Sequence, residues 1–324
     1  MFKYRSLTTV AIAALIAFGF YVAVYLKAVW TGSGNPHLFF HPDNLTNLLG
    51  QASIVGILAC GMTLVIVSGH VDLSVGSMLG MLGAAGALLI SAERGPGIPD
   101  LAAVVCVIAL GALIGFGQGA LVAWRRVPAF VVTLGGLLVF RGILLILAKS
   151  TIPVGPGLIN FLGSGTYKGM PVRFALMTLL AVAIHLLASH FRFGRYVYAI
   201  GGNREAARFS GIRVEWHIAL VFALMGGVAG LAGLVYSGVQ MAADAGAGEL
   251  LELYAIAACV IGGTSLSGGK GTVFGSVCGA VIMATIRNGL SCLGVASAGE
   301  KIILGVILIA AVGFDAAFSE RGKK

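Results

Sequence analysis

The chain has 324 residues, of which 58% are hydrophobic and 10% are Lys, Arg, Asp or Glu. A soluble domain carries about 25% charge, so this composition excludes a water-soluble globular protein and predicts an all-α chain that crosses a membrane many times. The formal charge of +9 does not indicate a nucleic-acid binder, because the basic residues flank apolar runs, where they set topology.

In chain order, Leu7 to Leu26 is uncharged and follows Lys3 and Arg5. It is long for a signal-peptide core and lacks a small-residue cleavage site, so it reads as a first span with its N-terminus inside. About 20 residues cross the ~30 Å hydrocarbon core. That ruler predicts ten spans, at 7–29, 46–68, 73–91, 101–124, 129–148, 174–189, 217–239, 251–262, 273–290 and 301–318. The eighth is too short to cross alone. With both termini cytoplasmic, thirteen of the 21 Lys and Arg residues fall on the inner side. The whole of 1–324 is read as one transmembrane domain. The 49 glycines lie mostly inside apolar runs, where small residues allow close helix packing.

Two stretches, beginning SIVGILACGM and LLELYAIAAC, each run apolar helix, Gly/Ser-rich break, glycine-spaced helix. This is the signature of a weak internal repeat around broken helices. In the first break, Asp72 reads as the N-cap of the following span. A second reading holds alongside it: the break dips into the bundle, and Thr63, Ser68, His70, Asp72 and Ser74 line a polar route. Arg141, inside the fifth span, either snorkels or lines that route, and Asn288 beside Arg287 carries the same alternatives.

The second break, GTSLSGGKGT (263–272), departs from a phosphate loop. Thr264 stands where the first glycine is required, and Gly271 takes the Ser/Thr position. No ATP site is predicted in this chain. The five cysteines and six histidines show no metal-ligand spacing, and Ser164 has no catalytic partner, so neither a metal site nor an intramembrane hydrolase is expected.

The loop His190–Trp216 is the polar exception, holding Arg192, Arg195, Arg204, Arg208 and Arg213 with Glu205 and Glu215. Within it, Asn203 reads as an N-cap, 204–209 as a short helix and Gly211 as its left-handed C′ residue. A helix of ~10 Å is too short to be stable in water alone, so it needs a surface to lie on. In the window from Arg213 to Lys270 no other Lys or Arg occurs, and Asp244, Glu249 and Glu252 fall there. They read as a solvated acidic loop or as a docking surface for an extracytoplasmic partner.

Four motifs in one order, GMTLVIVSGHVDLSVGS (61–77), VPAFVVTLGGLLVFRGI (127–143), RFGRYVYAIGGNREAARFSGI (192–212) and AIAACVIGGTSLSGGKGTVFG (255–275), resemble the permease subunits of bacterial ABC importers for monosaccharides, the ribose/xylose branch. The resemblance covers about 45–316. It implies a bacterial inner-membrane permease working as a homo- or heterodimer among membrane lipid. A separate ATPase below would use ATP and Mg, and a periplasmic sugar-binding protein would sit above. On the resemblance, Asn203, Arg204, Glu205, Arg208 and Gly211 belong to the ATPase-coupling helix, and Asp244, Glu249 and Glu252 are candidates for binding-protein docking. His70, Tyr254 and Arg287 depart from the family's usual Gly, Asp and Asn. A slight lean toward xylose-type members points to a pentose. Alternatives are a permease for another small polar solute, such as an autoinducer or amino acid, or a facilitator working without an ATPase.

Overall fold

The computed structural model describes residues 2–31 and 35–321. The side chains of Lys3, Arg5 and Arg321, and the whole of Lys323 and Lys324, lie outside the described residues. In chain order the helices are α1 (Phe2–Thr31), α2 (Pro42–Val67), α3 (Val75–Ile90), α4 (Asp100–Ala123), α5 (Ala129–Leu147), α6 (Leu158–Ser164), α7 (Val172–Ser189), α8 (Arg192–Gly202), α9 (Arg204–Phe209), α10 (Val214–Gln240), α11 (Leu251–Ile261), α12 (Val273–Cys292) and α13 (Ser297–Arg321). Four two-residue strands accompany them: β1 (Ile152–Pro153), β2 (Thr166–Tyr167), β3 (Met170–Pro171) and β4 (Ala242–Ala243). β1 pairs antiparallel with β4, and β2 with β3. Each predicted span coincides with a helix. Seven helices among the described residues are long and apolar enough to cross a membrane, while α3 and α11 are shorter apolar helices.

Burial sorts the helices by what surrounds them. α2 is buried without interruption from Val55 to Val67, the pattern of a helix apolar on every side because protein encloses it. α5 is more apolar still but buries only Thr133, Phe140 and Leu144, so its remaining faces suit lipid. α10 lies at the centre, packed on α4, α3, α2 and α6. Its contact with α4 is backbone on backbone. Gly111, Gly115 and Gly119 of α4 recur every four residues and meet Gly226, Phe222 and Ala219 of α10. A Cβ on Gly115 would run into the Phe222 carbonyl, so the small-residue stripe is what permits this approach.

The chain folds back into the bundle after α10. β4 pairs with β1 at the end of the molecule where Arg94, just past α3, donates to the Thr151 carbonyl at 3.0 Å. Residues 244–250 then descend along α3, placing Ala247 against Gly80 and Gly248 against Gly76. Gly76 is fourteen residues from the far end of α3, a depth of about 20 Å. Gly248 (φ +78°) and Leu250 (φ +63°) take left-handed backbone to make the turn, and α11 starts from there. The shortness of α11 thus has a physical cause: an irregular re-entrant segment occupies the other part of its path. Irregular backbone at such depth requires protein partners, and α3 supplies them.

Candidate functional site

At the arginine-rich end, α9 forms as its local sequence dictates. The Asn203 side chain accepts from the Ala206 N–H at 2.9 Å. At the other end, Gly211 (φ +82°) donates to the Arg208 carbonyl and Ile212 to the Ala207 carbonyl, at 3.0 and 3.1 Å. This pair of bonds is a Schellman closure. Ala207 is the buried residue of the helix, so α9 packs on the protein by one small side chain. Arg204, Glu205 and Phe209 are exposed, and Phe209 is 90% so. Arg208 is exposed too, but it is ion-paired with Glu215 of α10. Of the residues assigned to the coupling helix, Arg208 therefore already has an internal partner. The exposed phenylalanine was missed by the sequence reading. Its signal was there: a large apolar residue in the last turn of a polar, cytoplasm-predicted helix.

α9 joins the bundle through α8, whose C-terminal end meets both breaks. Gly201 abuts the Val67 carbonyl so closely that a Cβ there would overlap it. The same carbonyl accepts from the Gly269 N–H of the second break at 2.8 Å. Tyr198 of α8 donates to the Gly271 carbonyl at 2.8 Å. The ends of α2 and α8 and the 263–272 turn thus form one contact.

The first break leaves that contact and rises into the bundle. Asp72 is 1% exposed, and its Oδ1 accepts from both the N–H and the hydroxyl of Ser74, at 2.8 and 2.7 Å. Gln118 of α4 donates to the Ser74 hydroxyl at 3.1 Å. Asp72 is therefore not the N-cap expected of it. α3 begins three residues later, at Val75, and the carboxylate closes an Asx turn ahead of the helix. His70, just beyond α2, bonds Ser68 at 3.0 Å and sets its ring on edge to Phe222. Burial first, and the Arg204 guanidinium second, lower its pKa to about 4. The imidazole is neutral at physiological pH and adds no charge to this region.

The other route candidates separate. Thr63 is fully buried; its hydroxyl donates to the Ala59 carbonyl and pairs with Ser276 of α12, joining two helices. Ser68 donates to the Val65 carbonyl in its own helix. Asn288 exchanges two hydrogen bonds with Asn44, at 2.8 and 2.9 Å. Arg287 pairs with Glu300 at 2.6 Å and lies over the Tyr254 ring, so two of the unusual residues meet each other. Arg141, of the route candidates, lines a cavity of about 360 Å³, walled also by Ser77, Leu137, Glu249 and Glu252. Its guanidinium donates to the carbonyls of Ala245 and Ala247, holding the re-entrant segment. Glu252 sits inside, 8% exposed, and cannot belong to an exposed acidic loop. Asp244 is half-buried and accepts from the Gly246 N–H, while Glu249 is exposed and faces Lys301 at 4.0 Å.

A bundle of apolar helices, a polar re-entrant segment beside a cavity, and a capped helix standing off one end define a polytopic membrane permease. Residues 44–312 match the family described as the branched-chain amino acid transport system / permease component, and the chain belongs to it. Among curated relatives, it is 37% identical to the xylose transport system permease protein XylH of Escherichia coli (strain K12), over 93% of this chain and 91% of the relative. It is 41% identical to the ribose import permease protein RbsC of the same organism, over 86% and 87%. With its D-allose transport system permease protein AlsC the identity is 36%, over 93% and 91%. No solved structure matches the chain.

Proposed function

We propose that this chain is the permease subunit of an ABC importer that carries a monosaccharide across the bacterial inner membrane. The relatives' sugars, xylose, ribose and allose, support that substrate class, with a pentose such as xylose or ribose as the preferred member. Ten helices at the ten predicted spans support an even number of crossings, with both termini and the α8–α9 arm in the cytoplasm. The complete importer would pair this chain with a second permease, an ATPase that binds ATP and Mg, and a periplasmic sugar-binding protein.

One observation carries the reading. α9 is capped at both ends, is held to its own bundle by Ala207 and the Arg208–Glu215 pair, and turns Phe209, Arg204 and Glu205 outward. An exposed phenylalanine in a helix of six residues suits burial in a groove of another protein. Force applied there would pass along α8 to Gly201, where the end of α2 and the second break meet. ATP hydrolysis in the partner would thereby reposition the helices around the sugar route.

The test is a purified complex of the permease with its ATPase, reconstituted in proteoliposomes with the binding protein. Phe209→Asp should lower sugar-stimulated ATP hydrolysis and uptake together, by tenfold or more, matching about 1.4 kcal/mol or more of lost docking energy. Full coupling in a stably assembled Phe209→Asp complex rejects α9 as the contact.

A further inference from the structure

We infer that the corner where α4 ends and α10 begins binds the headgroup of an anionic phospholipid, held by Arg125, Arg126 and Arg213 beside Trp124 and Trp216. Its position on the cytoplasmic side rests on the proposed function; the site itself does not. The indoles fix its depth. α4 runs for 24 residues, about 36 Å, and the hydrocarbon core is ~30 Å thick, so Trp124, just past the helix, emerges at headgroup level. Two of the chain's three tryptophans meet there, with the Trp124 and Trp216 rings edge to face at 5.1 Å. Phe116, two turns earlier on α4, lies 6.0 and 6.1 Å from them. Both indoles are exposed, as are Leu121 and Leu220. On α10, Arg213, Trp216 and Leu220 follow at spacings of three and four, which sets them on one face. That face passes from charged to aromatic to aliphatic, the order met along a phospholipid from phosphate to acyl chain.

Charge sets the headgroup. Arg125, Arg126 and Arg213 are exposed, and among the described residues their guanidinium groups make no hydrogen bond or ion pair. Arg208 and Arg287, by contrast, each have a carboxylate partner. No Asp or Glu occurs from 116 to 130, and Glu215, beside Trp216, is already committed to Arg208. Three positive charges therefore stand at this corner without an acid to balance them. The Arg213 side chain does not cap α10. Arg126 takes left-handed backbone (φ +56°), where glycine would be less strained, so the backbone does not require an arginine there.

The occupant must satisfy both halves of the corner. A free anion leaves the exposed indoles and leucines uncovered, whereas a lipid brings its own hydrocarbon to them. A phosphate diester accepts paired bonds from a guanidinium. A zwitterionic lipid also brings an ammonium group, which three arginines repel, so an anionic headgroup such as phosphatidylglycerol fits best.

The experiment reads the two indoles in the full chain. Trp30→Phe leaves Trp124 and Trp216 as its tryptophans. This protein is reconstituted in vesicles of phosphatidylcholine and phosphatidylglycerol, with bromine on the acyl chains of one lipid or the other. Bromine quenches an indole that it touches, so quenching at equal mole fraction reports relative occupancy. Phosphatidylglycerol should be favoured about tenfold or more, since one arginine at an anionic surface contributes about fivefold. Arg125→Gln and Arg213→Gln should each lower that preference about two- to fivefold, and adding Arg126→Gly should bring it within twofold of none. Arg126→Gly alone should lose preference without a lower unfolding temperature, a separation that a structural role for the side chain does not give. It also stands as the test where the triple variant does not fold. A preference below twofold in the parent, or one that the triple variant keeps, overturns the site. Displacement of the lipid by inorganic phosphate at constant ionic strength overturns it in favour of a soluble anion. A triple variant that keeps its lipid preference but no longer purifies with the ATPase assigns the arginines to that protein instead. Both leaflets of the vesicle carry the lipid, so the result depends on neither orientation nor transport, and its failure leaves the import reading standing.

Discussion

The two helix–break–helix units begin alike and end differently. α2 closes with Gly69 donating to Ile66 and His70 to Val65; α11 closes with Gly263 donating to Val260 and Thr264 to Cys259. These are the same Schellman closure on a left-handed glycine, at φ +84° and +86°. Beyond it the roles of the polar residues reverse. In the first unit the carboxylate of Asp72 serves an Asx turn and ties the break, through Ser74, to Gln118 of α4. In the second, Thr272 caps α12 directly, accepting from the Gly275 N–H at 3.0 Å. That break stays at the surface, with Ser267 and Lys270 exposed, and is held by Tyr198 of α8. One motif thus makes a buried element tied to α4 inside the bundle and, elsewhere, a surface turn bonded to α8.

The largest expected effect comes from separating the two units at their shared contact. Gly201→Val places branched carbon against the Val67 carbonyl and the Gly269 N–H, with backbone on both sides and no flexible side chain to yield. Overpacking of this kind costs about 3 kcal/mol. Sugar-stimulated ATP hydrolysis in the reconstituted complex should fall about a hundredfold, while the variant still inserts and purifies with its ATPase. Hydrolysis within twofold of the unaltered complex would show that the arm acts through some other contact.

Next in size is the asymmetry between the breaks. Asp72→Ala leaves the Ser74 N–H without its acceptor in a fully buried place and its hydroxyl with only the longer bond to Gln118, a loss of about 2–3 kcal/mol. Thr272→Ala removes a helix cap near the surface, worth about 1 kcal/mol. Thermal unfolding of the purified permease should therefore fall further for Asp72→Ala than for Thr272→Ala. Equal shifts would mean that the two breaks are held with equal strength.

What the sequence disclosed follows the range of the forces involved. Capping is local, so Asn203 and Gly211 announced α9 to the residue. Span positions follow from runs of apolar residues, and the eleven-residue length of α11 was visible as a span too short to cross. The place of Glu252 was not legible, because it depends on Gly76 and Gly80, about 170 positions earlier, letting the re-entrant segment approach α3. An alternation of Ala and Gly from 245 to 248, directly before a short span, was the available sign. Thr63 and Asn288 were offered as route candidates because polarity in a membrane helix suggests function, with a structural pair as the other reading of Asn288. Their partners, Ser276 and Asn44, lie on other helices, and pairing across helices is the other use of polarity in lipid.

The smallest effect gives the finest discrimination. Tyr198→Phe removes one hydrogen bond, to the Gly271 carbonyl, and keeps the ring that packs on the core. The loss is about 1 kcal/mol, too little to unfold the bundle. If the second break follows the arm, that loss should appear in transport: sugar-stimulated hydrolysis should drop about three- to fivefold, with the unfolding temperature almost unmoved. In the first break, Gln118→Leu removes a bond of similar length between buried partners. It should do the reverse, lowering the unfolding temperature more than it lowers coupling. Opposite responses from two single hydrogen bonds would separate the fixed unit from the moving one, and matching responses would make them one rigid body.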